Sequence, residues 1–180
     1  MALKATIFKA ELQVSDLDRG HFATHALTIA RHPSETDERM MVRVLAFAFH
    51  ADERLEFGRG LSSEGEADLV LTDLTGAIDL WIDVGLPDER EIRKACGRAT
   101  RVAVYVYGTG AEIWWRQNEA ALARLANLAV FLLRPDDSRA CAKLAARTMK
   151  LQATIQEGHL WLAAGESSLT LEPTVLKPSA

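Results

Sequence analysis

Residues 68–108 constrain the fold more than any other part of the chain, because they combine a hairpin, a helix and a buried strand. The apolar segments DLVLTD and AIDLWIDVG flank a turn at 73–76, where Gly76 can adopt a positive φ. The segment LPDEREIRKACGRAT is then typical of a helix, and RVAVYVYG is typical of a strand that is buried on both faces. This order predicts a right-handed crossover between two parallel strands.

Alternating and helical patterns outside this region predict the remaining elements. We expect a hairpin over 5–32, a helix within 32–51 that begins at the N-cap Ser34, a short strand at 55–61, a helix at 112–126, a strand at 127–134, a helix at 136–149, a hairpin at 150–163 and a weak strand at 169–176. The expected fold is a mixed α/β (α+β) domain over residues 1–180. Its central mixed sheet is flanked by helices, with an accessory antiparallel β layer from the N- and C-terminal segments.

The sequence predicts a cytoplasmic protein that does not contact a membrane. No apolar stretch approaches the roughly 20 residues that a membrane span needs. Lys4 and Lys9 interrupt the N-terminal segment that a signal peptide would keep apolar. Cys96 and Cys141 lie 45 residues apart, a spacing that indicates neither a zinc site nor a disulfide framework. We expect a cytoplasmic monomer or weak dimer that does not contact a membrane.

The overall charge argues against nonspecific nucleic-acid binding by the whole surface. The formal net charge is −4 and the sequence pI is about 5.7. One stretch is locally basic, because residues 90–101 carry four arginines and one lysine against a single glutamate. The net charge therefore does not exclude a local anion-binding face on the helix that follows the hairpin.

Two aspartates in the hairpin are the first candidate site residues. If Asp73 pairs with Ala77, positions whose numbers sum to about 150 face each other, which puts Asp68 opposite Ile82. A shift of one residue puts Asp68 opposite Asp83, with Cβ atoms roughly 5 Å apart. Asp79 ranks below them, because four residues along a strand span roughly 13 Å. The alternative is that both acids are hydrated strand ends.

Adjacent carboxylates repel each other, so a cation between them would be favourable. A hard divalent ion such as Mg²⁺ prefers carboxylate oxygens. Glu38 is a further candidate, because it lies on the same helical stripe as Met41, Val42 and Leu45. An acid at that position needs an arginine, a backbone amide or a metal-bound water, unless it is simply a first-turn glutamate favoured by the helix dipole.

Three motifs carry a resemblance to a known family. The segments ADLVLTDLTGAIDLWIDVGLPDEREIRKA, HPSETDERMM and RTMKLQATIQ resemble the YaeQ family of bacterial proteins, over essentially the whole chain. That family is understood as a divergent member of the PD-(D/E)XK nuclease-like superfamily. The resemblance implies a restriction-endonuclease-like core in which carboxylates of a central hairpin bind Mg²⁺ or Mn²⁺.

The superfamily pattern transfers to this chain with one departure. Ala67-Asp68 stands where the superfamily has Pro-Asp, Asp83 opens its acid-any-lysine motif, and Glu38 resembles the acid of its first core helix. Gly85 stands where the catalytic lysine should be, and Lys94 is the expected replacement. The implied site residues are the catalytic Glu38, Asp68, Asp83 and Lys94, the metal ligands Asp68, Asp83 and Glu38, and the nucleic-acid contacts Arg90, Arg93 and Arg98.

Two functions follow from these residues. The first is hydrolysis of phosphodiester bonds by a metal held on the aspartates. The second is a module that keeps the nuclease fold without catalysis, binds nucleic acid or a protein and has a regulatory role. Gly85 and the acidic pI favour this second function. A third hypothesis is a structural or regulatory partner of another cytoplasmic machine.

Overall fold

The structure is a computed structural model that describes residues 4–59 and 65–180. Within these residues the chain forms four helices and eleven strands. The helices are α1 (Asp37–Phe49), α2 (Glu89–Arg98), α3 (Ala111–Leu122) and α4 (Pro135–Ala142). The strands are β1 (Thr6–Asp16), β2 (His21–Arg31), β3 (Leu55–Phe57), β4 (Leu69–Thr72), β5 (Ile78–Val84), β6 (Ala99–Val106), β7 (Leu128–Leu132), β8 (Thr148–Gln156), β9 (His159–Ala164), β10 (Ser167–Leu171) and β11 (Thr174–Lys177). This is the mixed α/β class that the sequence predicts.

The central sheet has six strands in the order β11-β7-β6-β5-β4-β3. Strands β5, β6 and β7 are parallel, so the predicted parallel pairing of the strands on either side of α2 is confirmed. One face of the sheet packs on α2 and α3, where Ile92 and Leu122 join a cluster with Val104 and Val130. The other face belongs to a second cluster that includes Leu80 and most of α1. The sheet is therefore covered on both sides, as parallel strands require.

The two ends of the chain build a second sheet in the order β10-β9-β8-β1-β2. Its strands alternate between buried and exposed residues, as in β1, because one face packs on the core and the other faces solvent. The predicted accessory layer is mixed rather than wholly antiparallel, since β1 and β8 run parallel with Leu12 opposite Leu151. In the sequence, five of the six strands of the central sheet lie between β1 and β8, so local sequence does not fix the relative direction of these two strands.

Helix α1 lies between the two sheets. Nine of its thirteen residues are buried, from Met40 to Ala48. The same cluster contains Leu12 and Ile29 of the five-stranded sheet and Ile82 of the six-stranded sheet. A helix between two sheets is apolar on most of its sides, and its N-terminus then lies near the carboxyl ends of β5 and β6.

The N-cap of α1 differs from the predicted one. Thr36 is the cap, and its Oγ1 accepts a hydrogen bond from the backbone N of Arg39 at 3.1 Å. The hydroxyl of Ser34, the predicted cap, is hydrogen-bonded to Nδ1 of His32 at 2.6 Å. Asp37 is thus the first residue of the helix, and Arg39 takes the third position, where a capping box would have an acid.

Three other boundaries also differ from prediction. The predicted strand 169–176 is two strands in different sheets, β10 and β11, with Pro173 between them. Helix α4 ends at Ala142, and the chain is already in β8 at Thr148. The predicted strand 55–61 is observed at 55–57, and its residues 60 and 61 lie outside the described residues. Among the helices of residues 4–59 and 65–180, none has the length and apolarity to cross a membrane.

Candidate functional site

The central hairpin brings Asp68 and Asp83 opposite each other. The turn forms as predicted, with a hydrogen bond from the backbone N of Asp73 to the carbonyl of Ala77 at 2.9 Å and φ of +88° at Gly76. Next to the turn, the residue numbers of each cross-strand pair add up to 150. Beyond an irregularity between Leu71 and Thr72 they add up to 151, and Leu69 lies opposite Ile82. Asp68 and Asp83 follow this last pair on the two chains, and both the charge and the backbone N–H of Asp68 act on the Asp83 carboxyl, so the two aspartates are neighbours as predicted.

Asp79 is the residue that shifts the register. Thr72 pairs with Ile78 and Leu71 pairs with Leu80, so Asp79 has no cross-strand partner. One extra residue in one strand is a β-bulge, which re-aims the side chains that follow it. Asp79 thus acts on the site through the backbone, because without the bulge Asp68 would face Ile82.

Arg39 of α1 neutralises Asp68. Its Nη2 donates to both carboxylate oxygens, at 2.8 Å and 2.9 Å, and approaches the carbonyl of Val84 at 3.4 Å. The backbone N of Val84 also donates to Oδ2 of Asp68 at 2.8 Å. Both side chains are mostly buried, with 13% of Arg39 and 9% of Asp68 exposed. This is a charge-assisted pair in a partly dry environment, the setting in which such bonds are strongest.

The pair extends into a series of alternating charges that joins α1 to Glu35, just before its N-cap. Nη1 of Arg39 donates to Oε1 of Glu35 at 3.0 Å, and Arg43 binds the same carboxylate through Nε at 2.9 Å and Nη2 at 2.8 Å. Arg43 also donates to the carbonyl of Ala30 in β2 at 3.0 Å. Burial disfavours the charged form of Arg39, but the charges and hydrogen bonds of Asp68 and Glu35 outweigh it and raise the pKa of Arg39. The guanidinium of Arg39 is therefore fixed by two carboxylates, Glu35 at Nη1 and Asp68 at Nη2.

Asp83 is the acid of the hairpin that Arg39 does not hold. Burial and the neighbouring charge of Asp68 raise the pKa of Asp83 to about 7. The indole of Trp81, the backbone N–H of Asp68 and the charge of Arg39 lower this pKa only in part. Within the described residues, the buried Nε1 of Trp81 has no hydrogen-bond partner of normal geometry. Near neutral pH the Asp83 carboxyl therefore exchanges between a protonated and an ionised form.

The backbone explains why a lysine does not follow Asp83 at the expected place. Gly85 has φ of +100°, a region that residues with a side chain rarely adopt. Its backbone N donates to the carbonyl of Tyr105 at 2.9 Å, which fixes the chain where it leaves β5. A lysine at position 85 would strain the connection to α2.

Glu38 lies at the same edge of the sheet but has other partners. Its Oε1 accepts a hydrogen bond from the fully buried Ser138 of α4 at 2.6 Å. Tyr107, just after β6, is close to Glu38, Glu35 and Arg39: burial raises its pKa to about 12, and the two glutamates add to the rise. Glu38 therefore connects α1 to α4 through its hydrogen bond with Ser138.

The cations predicted on α2 lie on its solvated side. Nζ of Lys94 donates to Glu91 at 3.0 Å, and the Lys94 side chain is 70% exposed. Arg93 is paired with Glu89, also within the helix. Arg98 lies over the ring of Trp81, 5.0 Å from its centroid, and donates to the carbonyl of Gly65. Arg90 is exposed at the start of the helix. Among the hydrogen bonds of the described residues, none joins these cations to Asp68.

These donors do not fit a hard divalent cation as they stand. Both oxygens of Asp68 accept bonds from Arg39 and one from Val84, and a guanidinium repels a second cation on the same carboxylate. Glu38 is bonded to Ser138, and burial holds a proton on Asp83 up to about neutral pH. Across residues 4–59 and 65–180, no three His, Cys, Asp or Glu side chains form a group that could hold a metal ion.

The residues that sequence reasoning missed are Arg39, Glu35 and Arg43. The sequence carried a partial signal, because the three are spaced four residues apart, the spacing of contacts on one face of a helix. The contact between Arg39 and Asp68 spans 29 residues and had no such signal. It depends on how α1 docks against the hairpin.

Comparisons with known proteins point to one family. The sequence model described as YaeQ protein matches residues 1–173. A protein named uncharacterized protein YaeQ from Salmonella typhi is 51% identical over 175 residues, which are 97% of this chain and 97% of that protein. The protein of the same name from Escherichia coli (strain K12) is 50% identical over equal shares.

Two crystal structures have a similar fold over nearly the whole chain. The YaeQ protein from Xanthomonas axonopodis pv. citri has a TM-score of 0.93 at 50% identity, and the match covers 96% of this chain and 98% of that one. The YaeQ protein from Pseudomonas syringae has a TM-score of 0.93 at 35% identity, with 97% of each chain covered. The layered arrangement of two sheets around α1 is thus shared with these proteins.

Proposed function

The chain belongs to the YaeQ family, and from the pair of Arg39 and Asp68 we propose that it is a binding module that uses a PD-(D/E)XK nuclease-like fold without metal-dependent hydrolysis. In this proposal the guanidinium of Arg39 takes the place that a metal ion would have on Asp68. The glycine at position 85 supports the same conclusion, because a positive φ disfavours the catalytic lysine there.

The partner that suits this module best is a protein rather than a nucleic acid. Two of the cations of helix α2 are neutralised within the helix, since Arg93 pairs with Glu89 and Lys94 with Glu91. Phosphate binding draws its affinity from unpaired lysines and arginines that release counterions. With a formal net charge of −4, the chain has little electrostatic attraction for a polyanion.

Calorimetry with divalent ions tests the absence of a metal site. We expect millimolar Mg²⁺ or Mn²⁺ to shift the melting temperature of the wild type no more than that of Asp68→Ala with Asp83→Ala, because Arg39 already occupies the carboxylate. A metal-dependent rise in the wild type that the double variant abolishes, together with cleavage of a phosphodiester substrate, would contradict the proposal and favour the nuclease.

Oligonucleotide titrations test the class of partner. We expect the wild type to bind single- and double-stranded oligonucleotides no better than a variant with Arg90→Ala, Arg93→Ala and Arg98→Ala. Tight binding at physiological salt that this variant loses would instead identify the basic helix as a nucleic-acid interface.

A further inference from the structure

The five-stranded sheet has one face that no part of the described chain covers. Its inner face packs on α1, and its outer face, called the open face here, carries the outward residues of β1, β2, β8, β9 and β10. Three large apolar side chains are exposed on it: Phe22 is 65% exposed, Trp161 is 44% and Ile7 is 43%. Exposed aromatic residues on a flat surface are typical of interaction sites.

The register places the two aromatic residues in one row across the sheet. Thr170 lies opposite Trp161, Trp161 opposite Thr154, Thr154 opposite Ser15, and Ser15 opposite Phe22. Trp161 and Phe22 are therefore three strands apart, roughly 14 Å. The row between them contains only small hydroxyl side chains, which leaves a level surface bounded by two rings.

The open face has few charges for a surface of its size. Its charged side chains are Lys9, Glu11 and Lys150, whereas 26% of the whole chain is Asp, Glu, Lys or Arg. Most other outward positions are threonine, serine, glutamine or alanine. Depletion of charge in the middle of a patch distinguishes protein interfaces from the remaining surface.

We propose that the open face is the interface of a homodimer. Two chains that each carry a formal net charge of −4 repel each other, and they approach most favourably through a face that lacks this charge. Glu11 and Lys150 are neighbours across β1 and β8, so a two-fold axis beside them would place Glu11 of each subunit next to Lys150 of the partner subunit.

The area of the open face suits a stable dimer. Five strands at their usual spacing and length present roughly 700 Å² on each subunit. A standard interface buries about 800 Å² on each partner. Two such sheets would pack face to face in the aligned manner of a β-sandwich. A nucleic acid fits the same face poorly, because Glu11 offsets one of its two lysines.

Sedimentation equilibrium of the full chain tests this interface. We expect a dimer for the wild type, and a dissociation constant at least about tenfold higher for Phe22→Glu and for Trp161→Glu. Ile113→Glu is the matched control: Ile113 is 59% exposed on α3, away from the open face, and its substitution is expected to leave the dimer unchanged. Circular dichroism and melting temperature show that each variant is folded, and Thr24→Glu replaces either aromatic variant that does not fold.

Two results would overturn the proposal. One is a wild type that stays monomeric at its highest soluble concentration. The other is a dimer whose dissociation constant is unchanged by the folded variants of the open face.

Discussion

Arg39 is the residue that determines the charge of the acidic hairpin. Its guanidinium stays protonated at every physiological pH, so it neutralises Asp68 permanently. Among the hydrogen bonds of residues 4–59 and 65–180, none joins an arginine to Asp83, the neighbour of Asp68 in the hairpin, and the Asp83 carboxyl is divided between a protonated and an ionised form near pH 7. The two aspartates therefore behave differently although the sequence presents them as a pair.

Asp83→Asn is expected to stabilise the protein at neutral and higher pH. The pKa of Asp83 is raised from 3.8 to about 7, so the folded state binds a proton that the unfolded state has lost, and wild-type stability falls as the pH rises through this window. Asparagine removes this loss. The free energy of unfolding should exceed that of the wild type by about 4 kcal/mol above pH 7 and by almost nothing below pH 3.8.

Urea denaturation at several pH values measures this difference. Asp79→Asn is the matched control, because it removes an acid from the same strand away from Asp68. A gain for Asp83→Asn that is equal at all pH values would contradict the raised pKa.

At the scale of elements, α1 is the part that joins the site together. It supplies Arg39 to the hairpin, binds Glu35 of the preceding segment through the same arginine, and contacts α4 through the hydrogen bond of Glu38 with Ser138. Its position in the chain was predictable from the apolar stripe, but its cap was not. Ser34 and Thr36 are both suitable caps by residue type, and the choice depends on the bond between Ser34 and His32.

Thr36→Ala is expected to lower the free energy of unfolding by about 1 kcal/mol, because it leaves the backbone N–H of Arg39 without its acceptor. Ser34→Ala is the matched control and is expected to cost clearly less, since the Ser34 hydroxyl bonds a neighbouring side chain on the surface. Chemical denaturation measures both values. A larger loss for Ser34→Ala would show that the helix begins earlier than Thr36.

The hairpin shows how far local sequence determines a site. The turn at Asp73 and Gly76 and the closeness of Asp68 to Asp83 follow from residue types and alternation. The register does not, because the bulge at Asp79 changes the pairing by one residue without a mark in the sequence. Lys94 was assigned to the site from its position after the hairpin, yet it lies in solvent with Glu91, because the helical period turns it away from the apolar stripe.

At the scale of the whole molecule, two sheets enclose α1, and each sheet carries one of the two features on which the proposals rest. The six-stranded sheet carries the neutralised acidic hairpin at the end of β5, and the five-stranded sheet carries the open face. The parallel pairing of β1 with β8 could not be read from sequence, since Val14 and its partner Ala153 are 139 positions apart and no short turn sets the direction. The two features are independent, so the failure of one proposal leaves the other intact.

The most direct test of the central claim is a calorimetric titration of Mn²⁺ into Arg39→Ala and into the wild type at pH ~8, where Asp83 is ionised. If Arg39 stands in the place of a metal, its removal leaves two carboxylates without a neighbouring cation, and the variant should bind Mn²⁺ at least about tenfold more tightly than the wild type. Adding Asp68→Asn should abolish the gain, and Arg39→Gln serves if the alanine variant does not fold. Wild-type binding of Mn²⁺ that depends on Asp68, or no gain in a folded Arg39 variant, would contradict the claim.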